Sequence, residues 1–321
     1  MDLVKYLQCL NCSGDLVSAE SNTGLTCKIC GYLVANQDGV YLFESSNHYS
    51  DSFGFQWSNF SKDQLDSYNG RYFSRDRFHT ETGWQSNELE EKLILDAGCG
   101  TGRFAEIALQ NGAFVIAIDS SDSIFEARKN LEKFSNRVIF LKADIKELPI
   151  KKHSLDLLYS IGVLQHTRLP YSNMLFLLTF LKPQGSFAFT VYQRRFFTSL
   201  HSKYLIRPIT KRLPKSALLF YIEKSAKIWF PLTKFLFSFP FPLNRIFSFM
   251  IPVANYPKKK WFNDRLLRRE AILDTFDMLS PAHDSPMSRK KTRRILNSTD
   301  SPKFQYLDIF SQKGVIRGTI I

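Results

Sequence analysis

The sequence predicts an α/β fold in which a parallel sheet carries a ligand site at the ends of its strands. Residues 93–95 and 114–118 are short, continuous apolar runs, which are typical of strands buried on both faces. Between them lie a glycine-rich turn at residues 98–102 and a predicted helix from about residue 103 to 111. Strand, turn, helix and strand in this order predict the βαβ unit from which parallel sheets are built.

The glycine turn suits a nucleotide-like ligand. Gly98, Gly100 and Gly102 lack a Cβ, so ligand atoms can approach the backbone, and the following helix presents its N-terminus nearby. Asp96 ends the first strand, and Asp119 ends the second strand at the position where an acid would hold a ribose diol. The third glycine comes one residue earlier than in the dinucleotide pattern G-x-G-x-x-G, and this difference argues against NAD.

Residues 96–102 (DAGCGTG) resemble the first motif of the class I S-adenosylmethionine (SAM) dependent methyltransferases, an acid and one residue before G-x-G-x-G. Three later stretches resemble further motifs of that family in the expected order: residues 142–145, 154–166 and 181–186. The resemblance implies SAM as co-substrate and a Rossmann-like sheet whose last strand is antiparallel. It covers residues 90–192 and 285–321 well, and the segment between them poorly.

The resemblance also implies which residues bind the cofactor. Asp119 would hold the ribose, Asp144 would meet the adenine amino group, and Asp96 would act indirectly near the methionine end. The other residues expected at this site are Ala97, Gly98, Cys99, Gly100, Gly102, Ser120, Ile145, Ser160 and Ile161. An acid at a strand end is often only a helix cap or turn former, and for the three aspartates this alternative stays open. Cys99 is interpreted as a packing residue and not as a nucleophile.

The loop after the fourth predicted strand is the expected acceptor side, and it contains His166. Its ordinary pKa near 6.5 suits proton removal from a hydroxyl acceptor, and a capping or packing role is the alternative interpretation. His283 and Asp277 are second candidates, in a segment from residue 274 to 286 that is predicted to be rich in turns. The loop lacks the Asn/Asp-Pro-Pro-Tyr and Pro-Cys signatures of two nucleic-acid methylating subclasses, which disfavours both.

Two C-x2-C pairs predict a structural zinc site near the N-terminus. Cys9 and Cys12 are separated by fourteen residues from Cys27 and Cys30, a spacing that suits four thiolates around one ion on two short hairpins. Four protein ligands leave no open position for catalysis. The arrangement resembles zinc ribbons of some bacterial methyltransferases, including a ribosomal RNA guanine methyltransferase group in which the ribbon helps to recognise the substrate. Residues 40–43 are expected to pack the ribbon against its neighbour.

Residues 46–92 are expected to form a helical cover over the cofactor cleft. The run FGFQW at residues 53–57 resembles a signature of bacterial zinc-ribbon methyltransferases. Arg71, Arg75 and Arg77 are candidates to bind the methionine carboxylate, which favours a planar, two-donor partner. A solvated surface is the alternative interpretation of these arginines.

The charge of the chain is unevenly distributed. Of the net charge of +13, residues 1–191 contribute −4 and residues 192–321 contribute +17, which indicates an anionic partner in the C-terminal part. Residues 196–262 hold twelve Lys/Arg, one acid and sixteen aromatics. Prolines and basic residues interrupt every window of about 20 residues, which argues against a transmembrane helix. A substrate lid, a membrane-interface patch, a surface that stacks single-stranded RNA and a plain helical subdomain all remain open.

The sequence therefore predicts five segments: a zinc ribbon (1–45), a helical cover (46–92), a SAM-binding core (93–192), a basic, aromatic insertion or lid (193–284) and a helix and hairpin completing the sheet (285–321). The leading hypothesis is methyl transfer to a small-molecule, saccharide or lipid-linked acceptor. An rRNA or tRNA methyltransferase is the alternative, and a non-catalytic binding module is a third interpretation. An apolar content of 44% excludes a disordered chain. Cysteine usage favours a cytoplasmic location, with peripheral membrane contact left open.

Overall fold

The computed structural model describes residues 1–19, 24–43, 65–70, 72–257 and 264–321. The hypotheses on residues 53–57 and on Arg71 lie outside these ranges. The chain divides into two compact units. We call Met1–Arg194 with His283–Ile321 the sheet unit, and Arg195–Ala282 the helical unit.

The strands are β1 Leu16–Ser18, β2 Gly24–Cys27, β3 Leu33–Gln37, β4 Val40–Leu42, β5 Leu93–Ala97, β6 Phe114–Asp119, β7 Val138–Lys142, β8 Leu155–Ile161, β9 Leu181–Thr190, β10 Phe304–Ile309 and β11 Val315–Ile320. The α-helices are α1 Asp66–Asn69, α2 Phe73–Thr82, α3 Arg103–Gln110, α4 Ser123–Asn130, α5 Pro170–Leu178, α6 Lys203–Thr210, α7 Lys215–Leu236, α8 Leu243–Met250, α9 Asp264–Leu279 and α10 Arg289–Leu296. Within the described ranges all eleven strands form one sheet, in the order β1-β2-β3-β4-β7-β6-β5-β8-β9-β11-β10.

The central part of the sheet confirms the predicted fold. Strands β7, β6, β5, β8 and β9 are parallel neighbours, and β11 pairs with β9 in the antiparallel direction. Every residue of β5 is buried, and its side chains alternate between two hydrophobic clusters on opposite faces of the sheet. Strands covered on both faces read as continuous apolar runs, which is why the sequence revealed them.

Asp156 fixes the register between three of these strands. Its carboxylate accepts a hydrogen bond from the backbone N–H of Leu93 at 2.8 Å and another from Lys182 Nζ at 2.8 Å. The fifth strand of the core, β9, begins at Leu181 and so includes residues 181–186, one of the stretches that carry the family resemblance.

The N-terminal segment predicted to be a zinc ribbon is joined to the core by backbone hydrogen bonds. Strand β4 pairs in parallel with β7, with Val40 opposite Phe140 and Leu42 opposite Lys142. The backbone N–H of Phe43 then donates to the carbonyl of Lys142 at 3.0 Å. The expected packing of residues 40–43 against a neighbour is therefore a strand pairing, which no local pattern in the sequence indicates.

The helical unit corrects one prediction. Residues 274–279 were expected to lie in turns, but they form the last part of helix α9. Leu273, Thr275 and Phe276 are buried in this unit, so tertiary packing overrides the turn-forming character of the neighbouring polar residues. The buried Arg207 donates to the carbonyls of Met278 and Pro281, both at 2.8 Å, and so satisfies carbonyls at the end of the helix.

Across the described ranges, none of the helices combines the length and the apolarity that a membrane crossing requires.

Candidate functional site

The glycine turn is fixed to the end of strand β6. The backbone N–H groups of Gly98 and Cys99 both donate to the carbonyl of Ile118, at 2.8 and 2.9 Å. Gly98 has φ +88°, and a Cβ there would lie 2.5 Å from a methyl group of Val163. Gly102 also has φ +88°, and the turn therefore needs glycine both for its conformation and for space.

Asp119 at the tip of β6 is held by three donors. The backbone N–H of Gly100 donates to Oδ2 at 2.9 Å, while the N–H and hydroxyl of Ser121 donate to Oδ1 at 2.9 and 2.7 Å. A carboxylate has about four lone-pair positions, so Asp119 keeps capacity for a ligand hydroxyl. Ser120, the neighbouring residue of the predicted site, is half-buried.

The structure brings Asp144 close to Asp119. Strands β6 and β7 are parallel neighbours in which Asp119 lies opposite Lys142, and Asp144 follows two residues later. Asp144 is buried and accepts the backbone N–H of Lys146 at 3.0 Å, with Lys146 Nζ 3.3 Å from its other oxygen. Ile145 is buried beside it. Two carboxylates thus stand at adjacent strand ends, as the sequence predicted.

Asp96 is a buried acid whose ionisation the fold opposes. Its pKa is raised to about 7: burial is the main cause, the hydrogen bond from Tyr159 Oη at 2.9 Å opposes it, and the nearby charge of Asp119 adds to it. Burial also raises the pKa of the Cys99 thiol well above its usual range, which suits a packing role and not that of a nucleophile.

The ends of β5 and β8 are tied together next to the turn. Ser160 Oγ donates to the carbonyl of Ala97 at 2.8 Å, so this hydroxyl is used to join the two strands. Ile161, which ends β8, is buried. The predicted cofactor residues therefore converge at the carboxyl ends of the three parallel strands β6, β5 and β8, and at the segment after β7.

The acceptor-side loop brings His166 and His283 together. His166 is buried, and its Nδ1 lies 3.1 Å from the carbonyl oxygen of His283. Because a carbonyl only accepts, the proton of a neutral His166 is on Nδ1, and Nε2 is the unprotonated ring nitrogen. The ring of Tyr192 meets His166 edge-on at 5.4 Å. Asp277, the other second candidate, belongs to the helical unit.

Gln165 is a site residue to which sequence reasoning assigned no role. Its side chain is fully buried, and neither amide atom has a hydrogen-bond partner among the described residues. Its backbone carbonyl accepts the N–H of Ser285 at 2.7 Å. A buried amide without partners costs free energy, which makes it a candidate contact for a ligand. Only its place in the loop could have pointed to it in the sequence.

The arginines proposed for the methionine carboxylate have partners of their own. Arg77 forms an ion pair with Glu81 at 2.8 Å, one turn later on α2. The guanidinium of Arg75 lies 4.8 Å from the centre of the Tyr72 ring. A role for either residue in binding a carboxylate remains a prediction.

The four predicted metal ligands form one cluster. All four Sγ atoms lie within 4.8 Å of one another, with Cys12 and Cys27 3.4 Å apart and Cys9 and Cys30 3.6 Å apart. Tetrahedral zinc with bonds of about 2.3 Å requires sulfur–sulfur distances of about 3.8 Å. Backbone N–H groups donate to Cys9 Sγ at 3.3 Å and to Cys27 Sγ at 3.4 Å, which favours thiolates. The cluster could therefore hold a metal ion, and its donor set fits zinc.

Residues 95–189 match the model of a family described as a methyltransferase domain. The chain is 35% identical over 122 residues to the tRNA U34 carboxymethyltransferase of Cellvibrio japonicus (strain Ueda107), a match that covers 33% of this chain and 38% of the relative. It is 27% identical over 132 residues to the ubiquinone biosynthesis O-methyltransferase of Coxiella burnetii (strain Dugway 5J108-111), covering 41% of this chain and 56% of that protein. The chain thus spans less than two thirds of the length of either relative.

Among solved structures, the chain resembles an S-adenosylmethionine dependent methyltransferase from Mesorhizobium loti. The two share 28% sequence identity with a TM-score of 0.31, over 33% of this chain and 48% of the other.

Proposed function

We propose that this chain transfers a methyl group from SAM to a small-molecule, saccharide or lipid-linked acceptor, since residues 95–189 match the model of a methyltransferase domain. The observation that supports SAM binding best is the carboxylate of Asp119. It is fixed by Gly100 and Ser121 at the tip of a parallel strand, where open α/β sheets bind their ligands.

The residues at the strand ends fit this co-substrate. Asp119 offers lone pairs to the ribose hydroxyls, and Asp144 is assigned to the adenine amino group. The backbone of the glycine turn leaves room for close approach because Gly98 and Gly102 carry no side chain. When bound, SAM would supply a methyl group on a sulfonium: the acceptor lone pair would bond to the methyl carbon as the C–S bond breaks in line and the thioether leaves, so positioning provides much of the rate.

The acceptor is assigned to the loop around Gln165 and His166. The lone pair on His166 Nε2 can take the proton of a hydroxyl acceptor as its oxygen bonds to the methyl carbon. The amide of Gln165, which has no hydrogen-bond partner in the described part of the chain, offers both a donor and an acceptor to a polar group. His283 holds the ring of His166 through its backbone carbonyl, and we assign its side chain no step.

The test is transfer of labelled methyl from SAM into fractionated cell extract, divided into RNA, lipid and small-molecule pools. We expect wild type to label the lipid or small-molecule pool and Asp119→Asn to lose at least tenfold in transfer, because the ribose contact is weakened. Asp122→Asn is the matched control, since Asp122 is exposed and paired only with Lys142 among the described residues. Equal activity of Asp119→Asn and wild type would overturn the assignment of Asp119.

An RNA acceptor is the second candidate, and two observations favour it. One relative at 35% identity is named a tRNA U34 carboxymethyltransferase. The sheet unit also has a groove of about 470 Å³ between α10 and β10, with Arg289, Arg293 and Asn297 on the helix side and Tyr306 on the strand side. Guanidinium groups next to an exposed aromatic ring are groups that bind phosphates and stack bases.

Salt dependence separates the two candidates. RNA binding through Arg289 and Arg293 would weaken steeply with salt, and removing one of these arginines would reduce the slope of log K against log salt by about one. Label in the RNA pool together with such a slope would promote the RNA reading over the leading proposal.

A further inference from the structure

The helix α7 is apolar on two opposite faces. One face is buried within the helical unit and includes Ile222, Ala226 and Phe230, which recur four residues apart. The other face is exposed: its apolar positions recur at intervals of seven, four and three residues, as one side of a helix requires. These residues are Tyr221, Ile228 (75% exposed), Leu232 and Phe235 (63% exposed).

Two neighbouring helices of the same unit expose apolar side chains in the same manner. On α6, Leu205 and Ile209 are 77% and 67% exposed and lie one turn apart, while Arg207 points the other way and is buried. On α8, Ile246 and Met250 are exposed one turn apart. Isolated exposed apolar residues are ordinary, but apolar residues exposed one turn apart on three helices of one small unit exceed this, and they suit contact with a partner.

Basic residues accompany these apolar faces. Residues 195–282 hold sixteen Lys/Arg and five Asp/Glu, a net charge of +11. On α7, Lys224 lies on the exposed apolar face with its Nζ 5.2 Å from the centre of the Phe220 ring, and Lys227 is exposed beside it. An apolar face with lysines near it is complementary to a surface that is hydrocarbon inside and anionic outside.

We propose that the exposed faces of α6, α7 and α8 dock on an anionic lipid bilayer, as a peripheral contact without a membrane crossing. Many of the exposed side chains are aliphatic, including Ile228, Leu232 and Leu205. Aliphatic groups gain free energy in hydrocarbon but cannot stack on bases, which favours lipid over RNA as the occupant of this surface. This inference goes beyond the proposed transfer reaction and does not depend on it.

The experiment is flotation of the full chain with vesicles at about 0.15 M salt. Vesicles of phosphatidylglycerol and phosphatidylcholine should carry the protein, and pure phosphatidylcholine vesicles should carry much less, because surface charge supplies part of the attraction. Ile228→Ser should reduce the bound fraction about fivefold by removing buried apolar area. Lys224→Glu with Lys227→Glu should abolish the preference for the anionic vesicles.

The control variant is Leu33→Ser, in which an aliphatic residue of similar exposure, 71%, is changed in the sheet unit. It should float like wild type. Circular dichroism and melting temperature of each variant show that folding is intact, without any need for SAM.

Three results would overturn the proposal. The first is that the folded chain does not float with either type of vesicle and stays at the bottom of the gradient. The second is that Ile228→Ser weakens binding to single-stranded RNA while vesicle binding is absent, which assigns the surface to RNA. The third is self-association in sedimentation that Ile228→Ser abolishes, again without vesicle binding, which assigns it to a second copy of the chain.

Discussion

Asp96 couples the stability of the fold to pH. Its carboxyl is buried with Tyr159 as donor, and its pKa is raised from 3.8 to about 7. A raised pKa means that the folded state holds this proton more tightly than the unfolded state. Protonated Asp96 therefore stabilises the folded state fully below about pH 4, and this contribution is lost as the pH rises to about 7. The free energy of unfolding should change by on the order of 4 kcal/mol over this range.

We predict that Asp96→Asn removes this pH dependence. The difference in free energy of unfolding, variant minus wild type, should be more favourable to the variant at pH 8 than at pH 5, because asparagine cannot ionise. The free energy of unfolding from urea denaturation at several pH values gives the answer, with Asp122→Asn, an exposed aspartate, as the control. Parallel curves for wild type and Asp96→Asn would show that Asp96 does not titrate in this range.

At the scale of the element, the cost of replacing a glycine by alanine can be divided into backbone strain and steric clash. Gly98 and Gly162 share positive φ values of +88° and +78°, but a Cβ at Gly98 would strike Val163, while none of the described atoms lies within 4 Å of a Cβ at Gly162. Gly98→Ala should therefore cost about 2–4 kcal/mol, and Gly162→Ala only about 1 kcal/mol from backbone strain.

Chemical denaturation of both glycine variants, with the SAM dissociation constant measured in parallel, checks this ordering. If the proposed site is correct, Gly98→Ala also weakens SAM binding because the turn shifts. Equal costs for the two variants would mean that Val163 moves aside without a penalty.

The core elements were predictable because each carries a local signal. Strands β5 and β6 are continuous apolar runs, and the alternating glycines between β5 and α3 indicate a turn. The pairing of β4 with β7 was not predictable, since a parallel contact between distant short segments leaves no periodic pattern. In α9, Thr275 and its acidic neighbours suggested turns, and only burial of that face explains the helix. For Gln165, the sequence shows only its place in the loop after β8, and its role as a candidate ligand contact depends on its burial.

At the scale of the whole molecule, metal binding at the four cysteines should raise the stability of the sheet unit. The reason is that β4 of the N-terminal segment is hydrogen-bonded to β7 of the core. We predict about one zinc ion per chain, and a melting temperature lower by at least about 5 °C after chelation. Metal analysis and thermal scans with and without chelator make the measurement. Cys12→Ser, which already lacks one ligand, should melt early and respond little to chelator. A melting temperature unchanged by chelator in metal-loaded wild type would contradict the prediction.

The strand pairing between β4 and β7 also decides how the sheet ends. Without β4, the apolar strand β7 would be an open edge with unpaired backbone groups, a template for pairing with other chains. The ribbon instead moves the edge to β1, which has only three residues, while the opposite edge strand β10 has an irregular register between Phe304 and Tyr306. If the four-cysteine cluster holds zinc as predicted, removing the metal would expose β7 as an edge strand, and we expect aggregation as the first consequence.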